Sequence, residues 1–398
     1  MDALSVKTAP ETVAYRLERV EVAEMSPSQC GDWVELLERQ QSGSPMHDPR
    51  SLRDPAVHGN RRSTAYLLYR GDRLCGVASF QLRDWPLKWQ IGELSVAQFS
   101  FRRLCLLGGG TTLPDDPAAY AALFQEIRER EAAFDAVYLE DVPTDSFLWK
   151  FVSEHPAAQS FSRYAGTEPK PRVILRLEGT FDDYMEKFSA KHRKNLKRTL
   201  RLFEEQAPGE VRSERITAPE DVESFVNEAV AISRKTYQWN LLGLGLRSPE
   251  MLKERLLFMA RQGWLRAYLL TVKNTACAFV IGFQYGGRYY LDDMAYDPAW
   301  KDYSAGKVLQ LYILRDLFEY HIPQIYDMGE YGPHKEEFGN DNYLQGSLFL
   351  LDRRLYPRFI CAGRRACDGA TARVSAFAER FGWKKRLKKL LRAWSSKT

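Results

Sequence analysis

Titratable side chains are concentrated in residues 329–339, directly after a strand that the sequence predicts over 324–328. Glu330, Tyr331 and His334 lie in this short stretch, and loops at strand ends often carry catalytic groups. Carboxylates, phenols and imidazoles can each take up or donate a proton. The pattern therefore predicts acid–base chemistry for Glu330, Tyr331 and His334. Each of the three, taken singly, would also suit an ordinary surface loop.

A pair of adjacent carboxylates, Asp292 and Asp293, lies on a predicted strand over 288–296. Successive strand residues point to opposite faces of a sheet, so only one of the two can face a given cleft. The pair is a candidate for acid–base chemistry. A salt bridge at the end of the strand is the competing interpretation, and the sequence does not say which carboxylate would act.

Small residues stand at the start of a helix that the sequence predicts over 304–320: Ser304, Ala305 and Gly306 precede Lys307. The first N–H groups of a helix lack intrahelical partners, and the helix dipole favours negative charge there. Glycine in addition permits a close approach of the backbone to a ligand. The pattern predicts a phosphate-sized anion site that fits a pyrophosphate. An ordinary N-cap at Ser304 explains the same residues without a ligand.

A basic segment over 181–205 has apolar residues at helical spacings, which predicts one amphipathic helix with a cationic face. His192 and Arg193 lie on it, and cations in the middle of a chain of this length favour an anionic partner held at a cleft. Together with Lys335 they are candidates for binding the anionic part of a substrate. A solvated helix face is the competing interpretation.

The composition bounds the class of protein. With 398 residues, 44% of them hydrophobic, the chain is globular and long enough for two domains. A net charge of +5 argues against a general nucleic-acid binder. The six scattered cysteines form no CxxC pair, which argues against a zinc site and favours a reducing compartment. The N-terminal sequence lacks the apolar stretch of a signal peptide, and no apolar run reaches the roughly 18 residues of a membrane span.

Strand and helix signals occur in a similar order in both halves of the chain, which predicts two α/β domains. A hairpin is predicted over 64–83 and a three-strand meander over 264–296. A stretch with Gly and Pro near 166–171 separates the halves. The predicted domains are 1–170, 171–355 and a C-terminal helical basic tail, 356–398.

The last residues of the chain, 378–398, carry Trp and Leu at helical spacings among lysines and arginines. This composition fits an interfacial helix on an anionic membrane surface. A helix docked on the body of the protein by its apolar stripe, with a solvated basic face, fits it equally well.

Taken in order, these segments resemble a known family. The basic helix carries HRKNLKR, the meander ends in YDP at 296–298, the next helix begins with SAGKVL, and YDMG and HKEEFG follow at 326 and 334. The order resembles the acyltransferase domain of the GNAT superfamily, in its FemAB-related, CelD-like branch (the BioF2-like acetyltransferase domain). The resemblance covers residues 172–352, with 1–170 as a degenerate first copy. The sequence departs from the family pattern at Met328, where Phe is usual, and at His334-Lys335, where an aromatic-Lys pair is usual.

The resemblance implies an α/β (α+β) fold with tandem GNAT-like domains, each a mixed, mainly antiparallel sheet flanked by helices. It implies N-acyl transfer from acyl-CoA, such as acetyl-CoA, to an amine by direct attack and without a metal. Ser304, Ala305, Gly306 and Lys307 would bind the donor. In that reaction the pair Asp292 and Asp293 is the first candidate for the base that deprotonates the amine, and Glu330 is the second. Tyr331 and His334 are the candidate acids for the leaving thiolate. The expected acceptor is an amino sugar, or a lipid-linked glycan of the cell envelope or an exopolysaccharide. The expected location is the cytoplasm at the inner face of the membrane, which 380–398 would contact, with no nucleic-acid partner. The identity of the acceptor, the acyl length and the oligomeric state stay open.

Two other functions stay open. One is a Fem-type reaction, in which an aminoacyl-tRNA donates an amino acid to a peptidoglycan precursor; the low net charge counts against it. The other is a noncatalytic GNAT-like module that docks an exopolysaccharide machinery at the membrane. A collapsed donor groove would distinguish this module from an enzyme.

Overall fold

A computed structural model describes residues 15–41, 43–59, 61–92, 94–131, 134–165, 168–236, 239, 245–320 and 323–380, without the side chains of 374–380. The chain divides into two compact units, each built from separated segments. The first unit comprises the described parts of 1–20, 62–169 and 346–398, and the second those of 21–61 and 170–345. The predicted domains, in contrast, follow the sequence in consecutive pieces. The predicted tail helix over 378–398 lies outside the described residues from 381 onward.

Strands account for much of both units. They are β1 (Tyr15–Glu21), β2 (Ser63–Arg70), β3 (Arg73–Asp84), β4 (Leu87–Ile91), β5 (Leu94–Phe99), β6 (Arg102–Leu106), β7 (Ala136–Pro143), β8 (Ser162–Ala165), β9 (Lys170–Arg176), β10 (Val211–Ile216), β11 (Ala267–Val272), β12 (Thr275–Tyr285), β13 (Arg288–Tyr296), β14 (Ile325–Glu330) and β15 (Asp341–Leu351). The predicted hairpin is formed by β2 and β3, and the predicted meander by β11, β12 and β13, so both predictions are confirmed.

Helices connect the strands. They are α1 (Pro27–Gln40), α2 (Pro49–Arg53), α3 (Pro55–His58), α4 (Pro117–Arg130), α5 (Phe147–Glu154), α6 (Phe181–Glu186), α7 (Ala190–Glu204), α8 (Val222–Lys235), α9 (Pro249–Arg261), α10 (Ala305–Glu319), α11 (Pro333–Glu336) and α12 (Leu355–Arg380). The helix predicted over 304–320 is confirmed as α10.

The prediction of a single helix over 181–205 is wrong, because the segment forms two helices, α6 and α7. The first helix ends at Glu186, and Ser189 begins the second: its Oγ accepts a hydrogen bond from the backbone N–H of His192 and caps α7. The Arg193 guanidinium donates to the carbonyls of Glu186 and Phe188, which satisfies acceptors at the end of α6. The amphipathic pattern continues through the break, so periodicity alone did not reveal it.

The first unit is a mixed sheet with the strand order β1-β2-β3-β6-β7, continued by the end of β15 and by β8. Its hairpin is antiparallel, whereas β6 and β7 are parallel. Helices α4 and α5 pack on the sheet through a buried cluster that includes Leu123, Phe124, Val137 and Phe151. The pair β4–β5 forms a separate two-stranded sheet.

The second unit is a mixed sheet with the strand order β9-β14-β13-β12-β11-β10, and residues 341–345 of β15 pair with β9. Helices α7 and α10 cover one face through a core that includes Leu196, Phe203 and Leu314. Helices α8 and α9 cover the other face through Phe225, Leu256 and Phe279, among others. Each unit is thus a mixed, mainly antiparallel sheet flanked by helices, which confirms the predicted α/β (α+β) class.

The strands β13 and β14 diverge within the second sheet. They pair in parallel only over Arg288–Tyr290 and Ile325–Asp327. Beyond that point, β13 stays paired with β12 as far as Tyr296, and β14 stays paired with β9 as far as Glu330. Because each strand keeps its outer partner, a wedge opens between them, and the edge of β13 from Leu291 onward has no β14 partner.

Candidate active site

A cavity of about 600 Å³ occupies the second unit where β13 and β14 diverge. Its walls come from β13, β14, α10 and the segment around α11. Most of the lining is apolar, with Leu291 and Met294 from β13, Met328 from β14 and Phe338 after α11. A narrow apolar space between two diverging strands suits an extended, mostly apolar ligand.

The N-terminus of α10 forms one end of this cavity. Ser304 adopts a left-handed conformation with φ 58° directly before the helix, and Ala305 is fully buried. Among the described residues, the backbone N–H groups of Ala305 and Gly306 have no acceptor. Unpartnered N–H groups at the start of a 15-residue helix attract an anion.

Gly306 faces the ring of Tyr296 across this end of the cavity. A Cβ atom built on Gly306 would lie 3.2 Å from the ring carbon Cδ1 of Tyr296, so glycine leaves room that a side chain would occupy. Lys301 and Lys307 line the same cavity and supply positive charge. The donor set of backbone N–H groups and two ammonium groups fits a pyrophosphate.

Glu337 links α10 to the basic helix α7. Its Oε1 accepts a hydrogen bond from Lys307 Nζ at 2.8 Å. His192 Nε2 lies 3.3 Å from the same oxygen, which is close enough for an ion pair when the imidazole is protonated, but the geometry is not that of a hydrogen bond. The Glu337 carboxylate therefore lies between Lys307 and His192, two basic residues that the sequence singled out.

A second cavity, of about 480 Å³, lies on α7 and is lined by cations. Ser189, Lys191, His192, Lys194 and Arg198 contribute to it. Its chemistry suits a phosphate or another anion.

His334 and Lys335 project into the wedge cavity from α11. Partial burial, followed by the neighbouring charge of Lys335, lowers the pKa of His334 below its usual value, although the residue keeps an exposed edge. The imidazole is therefore mainly neutral at neutral pH and can accept a proton. Burial, followed by the charge of Arg172, lowers the pKa of Lys335, which makes its ammonium a stronger acid than that of an exposed lysine.

A buried ion pair supports this part of the site. Asp327 is 2% exposed, and Arg172 Nε on β9 donates to both of its carboxylate oxygens, at 2.8 and 2.9 Å. Asp327 Oδ1 also accepts from the backbone N–H of Gly329. The pair fixes the end of β14, from which α11 follows directly.

Gln310 is a further polar side chain in the lining of the cavity. It is 6% exposed, its Oε1 accepts from the Tyr326 hydroxyl at 3.1 Å, and its Nε2 has no partner among the described residues. Gln310 lies one turn after Gly306, so the helical period could have placed it on the cavity face.

The other predicted catalytic residues lie outside the lining of this cavity. Asp292 binds Arg255 of α9 at 2.7 Å. Asp293 pairs in register with Ile281, whose side chain lies in the core with α8 and α9, so Asp293 faces the same side of the sheet. Burial raises the pKa of Asp293.

Glu330 and Tyr331 are exposed and have partners of their own. Glu330 lies 3.4 Å from Lys170 Nζ. The Tyr331 hydroxyl donates to Glu336 Oε2 at 2.6 Å, and this hydrogen bond raises the pKa of Tyr331. The structure thus brings together Gly306, Lys307, His334 and Lys335, of the residues that the sequence singled out, within one cavity.

Sequence reasoning missed several residues of the site. Arg172 and Asp327 carry no local signal, because the antiparallel register of β9 and β14 brings them together from 155 positions apart. Tyr296 and Lys301 stand within the YDPxxK stretch, so their spacing before the helix start could have indicated them.

No cluster of His, Cys, Asp and Glu that could hold a metal ion occurs among the described residues. Within the same part of the chain, every helix is too short or too polar to cross a membrane.

Residues 190–343 match the family described as "Acetyltransferase (GNAT) domain". The chain therefore carries a GNAT domain, and the resemblance to the GNAT acyltransferases that the sequence motifs indicated is confirmed. The matched residues include α7, the meander, α10 and α11, which supply the cavity and its polar groups.

The fold is similar to that of several solved structures. The crystal structure of FemX aligns with a TM-score of 0.60 at 12% identity, over 86% of this chain and 100% of that chain. The C-terminal domain (DUF2156) of a putative lysylphosphatidylglycerol synthetase from Agrobacterium fabrum aligns with a TM-score of 0.50 at 10% identity, over 84% and 95% of the two chains. L-PGS from Bacillus licheniformis aligns with a TM-score of 0.50 at 12% identity, over 87% and 98%. At these identities the likeness concerns the fold. Among curated proteins no similar sequence is found.

Proposed function

We propose that this protein is an N-acyltransferase that moves an acyl group from acyl-CoA to an amine acceptor. One observation carries the proposal: the wedge between β13 and β14 has an anion-binding helix N-terminus at one end and a largely neutral imidazole in its wall. A thioester donor with a diphosphate needs the first feature, and an amine that must lose a proton needs the second.

The donor would lie along the wedge. Its pyrophosphate would bind the N–H groups of Ala305 and Gly306, with Lys301 and Lys307 as counter-charges. The amide-bearing arm would follow the free edge of β13, whose backbone groups beyond Tyr290 have no β14 partner. Acetyl-CoA is the simplest donor of this kind, and the cavity would also admit longer acyl groups.

The acyl transfer would proceed by direct attack of the amine on the thioester carbonyl. His334 is the base that we favour, because its neutral imidazole lies in the cavity wall. N–H groups at the edge of β13 are candidates to polarise the carbonyl. After the carbon–sulfur bond breaks, Lys335 can protonate the leaving thiolate.

Asp293 is the second candidate base. Its raised pKa brings the carboxylate nearer to neutral pH, where proton transfer is efficient. Its side chain lies on the opposite face of β13, so an acceptor amine would have to reach it on that face. Asp292 and Glu330 already form ion pairs with Arg255 and Lys170 and lie outside the cavity lining. Tyr331 would act only if an acceptor reached its exposed hydroxyl.

The acceptor that we propose is an amino sugar or a lipid-linked glycan precursor of the cell envelope or of an exopolysaccharide. A phosphate of such a glycan, or of the donor, would bind at the cationic cavity on α7 beside His192. The contribution of Arg193 would be structural, because its guanidinium binds backbone carbonyls.

The cytoplasmic face of the membrane is the location that we propose, with residues 380–398 in contact with anionic lipid. Deleting 380–398 should lower binding to anionic liposomes. Unchanged binding of the truncated protein would contradict this location of the tail.

Calorimetric titration with acetyl-CoA and longer acyl-CoAs tests the proposed donor. We expect micromolar binding to the purified protein, followed by release of free CoA when amine acceptors are added. Absence of binding at every chain length would overturn the acyl-CoA proposal.

A Fem-type reaction is the second candidate, because the FemX structure aligns over its whole length. In that case an aminoacyl-tRNA would bind where acyl-CoA did not, and the basic face of α7 would contact it. A noncatalytic docking role is disfavoured by the open 600 Å³ cavity, since such a module would need no donor groove.

A further inference from the structure

The two-stranded sheet β4–β5 of the first unit lies along one side of α12. Trp89 Nε1 donates to the carbonyl of Ile360 at 2.8 Å, and the rings of Trp89 and Phe359 are 5.6 Å apart. Further along the helix, the backbone N–H of Gly92 donates to Thr371 Oγ1 at 3.0 Å. These contacts cover one side of α12 over about three turns, at 3.6 residues per turn.

The side of α12 that the β4–β5 sheet leaves uncovered is apolar and exposed. Leu355 is 81% exposed, and Phe359, which lies at the edge of this side next to Trp89, is 61% exposed. Ala362 and Ala366 continue the same exposed stripe at helical spacing. On β5, Leu94 is 70% exposed and Val96 is 55% exposed. Apolar side chains exposed together in this way mark a binding surface more often than scattered single ones do.

Cations accompany the apolar stripe. Arg358 and Arg373 are exposed on α12 and have no ion-pair or hydrogen-bond partner among the described residues. Lys88 is exposed on β4. Among the described side chains of α12, Asp368 is the acidic one, and Arg364 pairs with it at 3.0 Å. Within those side chains, the exposed face of the helix therefore has a positive charge that no carboxylate of the same face offsets.

We propose that this surface docks the protein on an anionic lipid bilayer. The docking surface consists of Leu94, Val96, Leu355, Arg358, Phe359 and Arg373. Its apolar side chains would enter the boundary between headgroups and acyl chains, and its arginines would bind the anionic headgroups. The proposal is independent of the proposed acyl transfer and of any contact made by residues 380–398.

The charge of the surface favours lipid over two other occupants. In a symmetric dimer the surface would face its own copy, so that unpaired arginines would meet unpaired arginines. A nucleic acid would bind the arginines but leave Leu355 and Leu94 in water. An anionic bilayer satisfies both the charge and the apolar side chains.

Co-sedimentation of the full-length protein with vesicles tests the proposal. Vesicles of phosphatidylcholine mixed with phosphatidylglycerol should bind the protein, and vesicles of phosphatidylcholine alone should bind it much more weakly. The double variant Leu355→Ser/Phe359→Ser and the double variant Arg358→Glu/Arg373→Glu should each lower partitioning onto the mixed vesicles roughly tenfold or more.

Two matched variants serve as controls. Met251→Ser removes an apolar side chain that is 66% exposed on α9, and Arg128→Glu reverses an exposed charge on α4. Both should bind the vesicles as the unaltered protein does. The side chains replaced in all four variants are exposed, so circular dichroism and thermal unfolding of each variant should show an unchanged fold.

Three results would overturn the proposal. One is unchanged binding of both double variants to the mixed vesicles, in which case the basic tail would be the membrane contact. Another is equal partitioning onto neutral and anionic vesicles, or none onto either. The third is a concentration-dependent dimer in sedimentation velocity that Leu355→Ser/Phe359→Ser abolishes, since the surface would then join two copies of the chain.

Discussion

His334 acquires its chemical character from where α11 places it. An exposed histidine is half protonated near pH 6.5, whereas partial burial and the adjacent Lys335 shift this imidazole toward its neutral form. A base must be unprotonated before it can act, so activity should rise as the pH passes upward through the lowered pKa of His334. The acidic limb of the pH–rate profile should therefore lie below about pH 6.5.

The variant His334→Gln should lose acyl transfer by roughly 10²–10⁴-fold, which is typical for the removal of a general base. Steady-state release of CoA across pH measures the effect, and the acidic limb should disappear together with the rate. His155→Gln, the same change at a half-buried position of the first unit outside the cavity, should keep both rate and profile. A full rate with an intact acidic limb in His334→Gln would transfer the role of base to Asp293.

Gly306 is required for space rather than for backbone conformation. A Cβ at this position lies 3.2 Å from the Tyr296 ring, and a branched side chain would extend further into the anion site. We expect Gly306→Val to raise the Kd for acyl-CoA at least about tenfold, because a diphosphate could no longer approach the helix N–H groups.

Calorimetric titration measures this effect, and Gly31→Val is the matched control. Gly31 lies within α1 and a Cβ there meets no atom within 4 Å. Both substitutions replace a helical glycine by valine, and only the one at Gly306 lies at the cavity, so the difference in Kd reports on the anion site. Equal affinities in the two variants would show that the diphosphate binds elsewhere.

At the level of elements, the wedge depends on β14 keeping its partner β9 while it leaves β13. The Arg172–Asp327 pair joins β9 and β14 at the point of divergence. Its energetic effect is asymmetric, because the removal of one partner leaves the other charge buried and unpaired.

We therefore expect Arg172→Ala to lower the free energy of unfolding by about 3 kcal/mol. Arg176→Ala removes an arginine from the same strand, but its pair with Asp341 is exposed, so the loss should stay below about 1 kcal/mol. Urea denaturation of both variants measures the difference. A small loss in both would mean that Asp327 is effectively solvated and that the pair does not fix the strand end.

For the whole molecule, a bound donor should stabilise the native state by mass action. At a ligand concentration of one hundred times Kd, the gain is about 2.7 kcal/mol. Acyl-CoA should thus raise the Tm of the unaltered protein, measured by calorimetry, and at the same concentration should raise the Tm of Gly306→Val by at most about half as much. If aminoacyl-tRNA raises the Tm while acyl-CoA does not, the Fem-type reaction becomes the better explanation.

Much of the fold was accessible from the sequence, because its signals are local. Alternating apolar residues between short turns predicted the meander of β11, β12 and β13, and apolar periodicity after Ser304 predicted α10. The order of the motifs along the chain indicated the GNAT domain. The sequence did not predict the break between α6 and α7, because the hydrophobic period runs through Ser189. The side chain of Ser189 nevertheless caps a new helix.

The sequence by itself determined the kinds of elements, the family and the residue types available for chemistry. The tertiary structure decided which of those residues share a cavity: it brought His334 and Lys335 to the wedge with Gly306, and it turned Asp293 to the other face of β13. It also paired Arg172 with Asp327. The physical reason is that strand register and the divergence of β13 from β14 depend on hydrogen bonds between segments far apart in the chain, which no local pattern encodes.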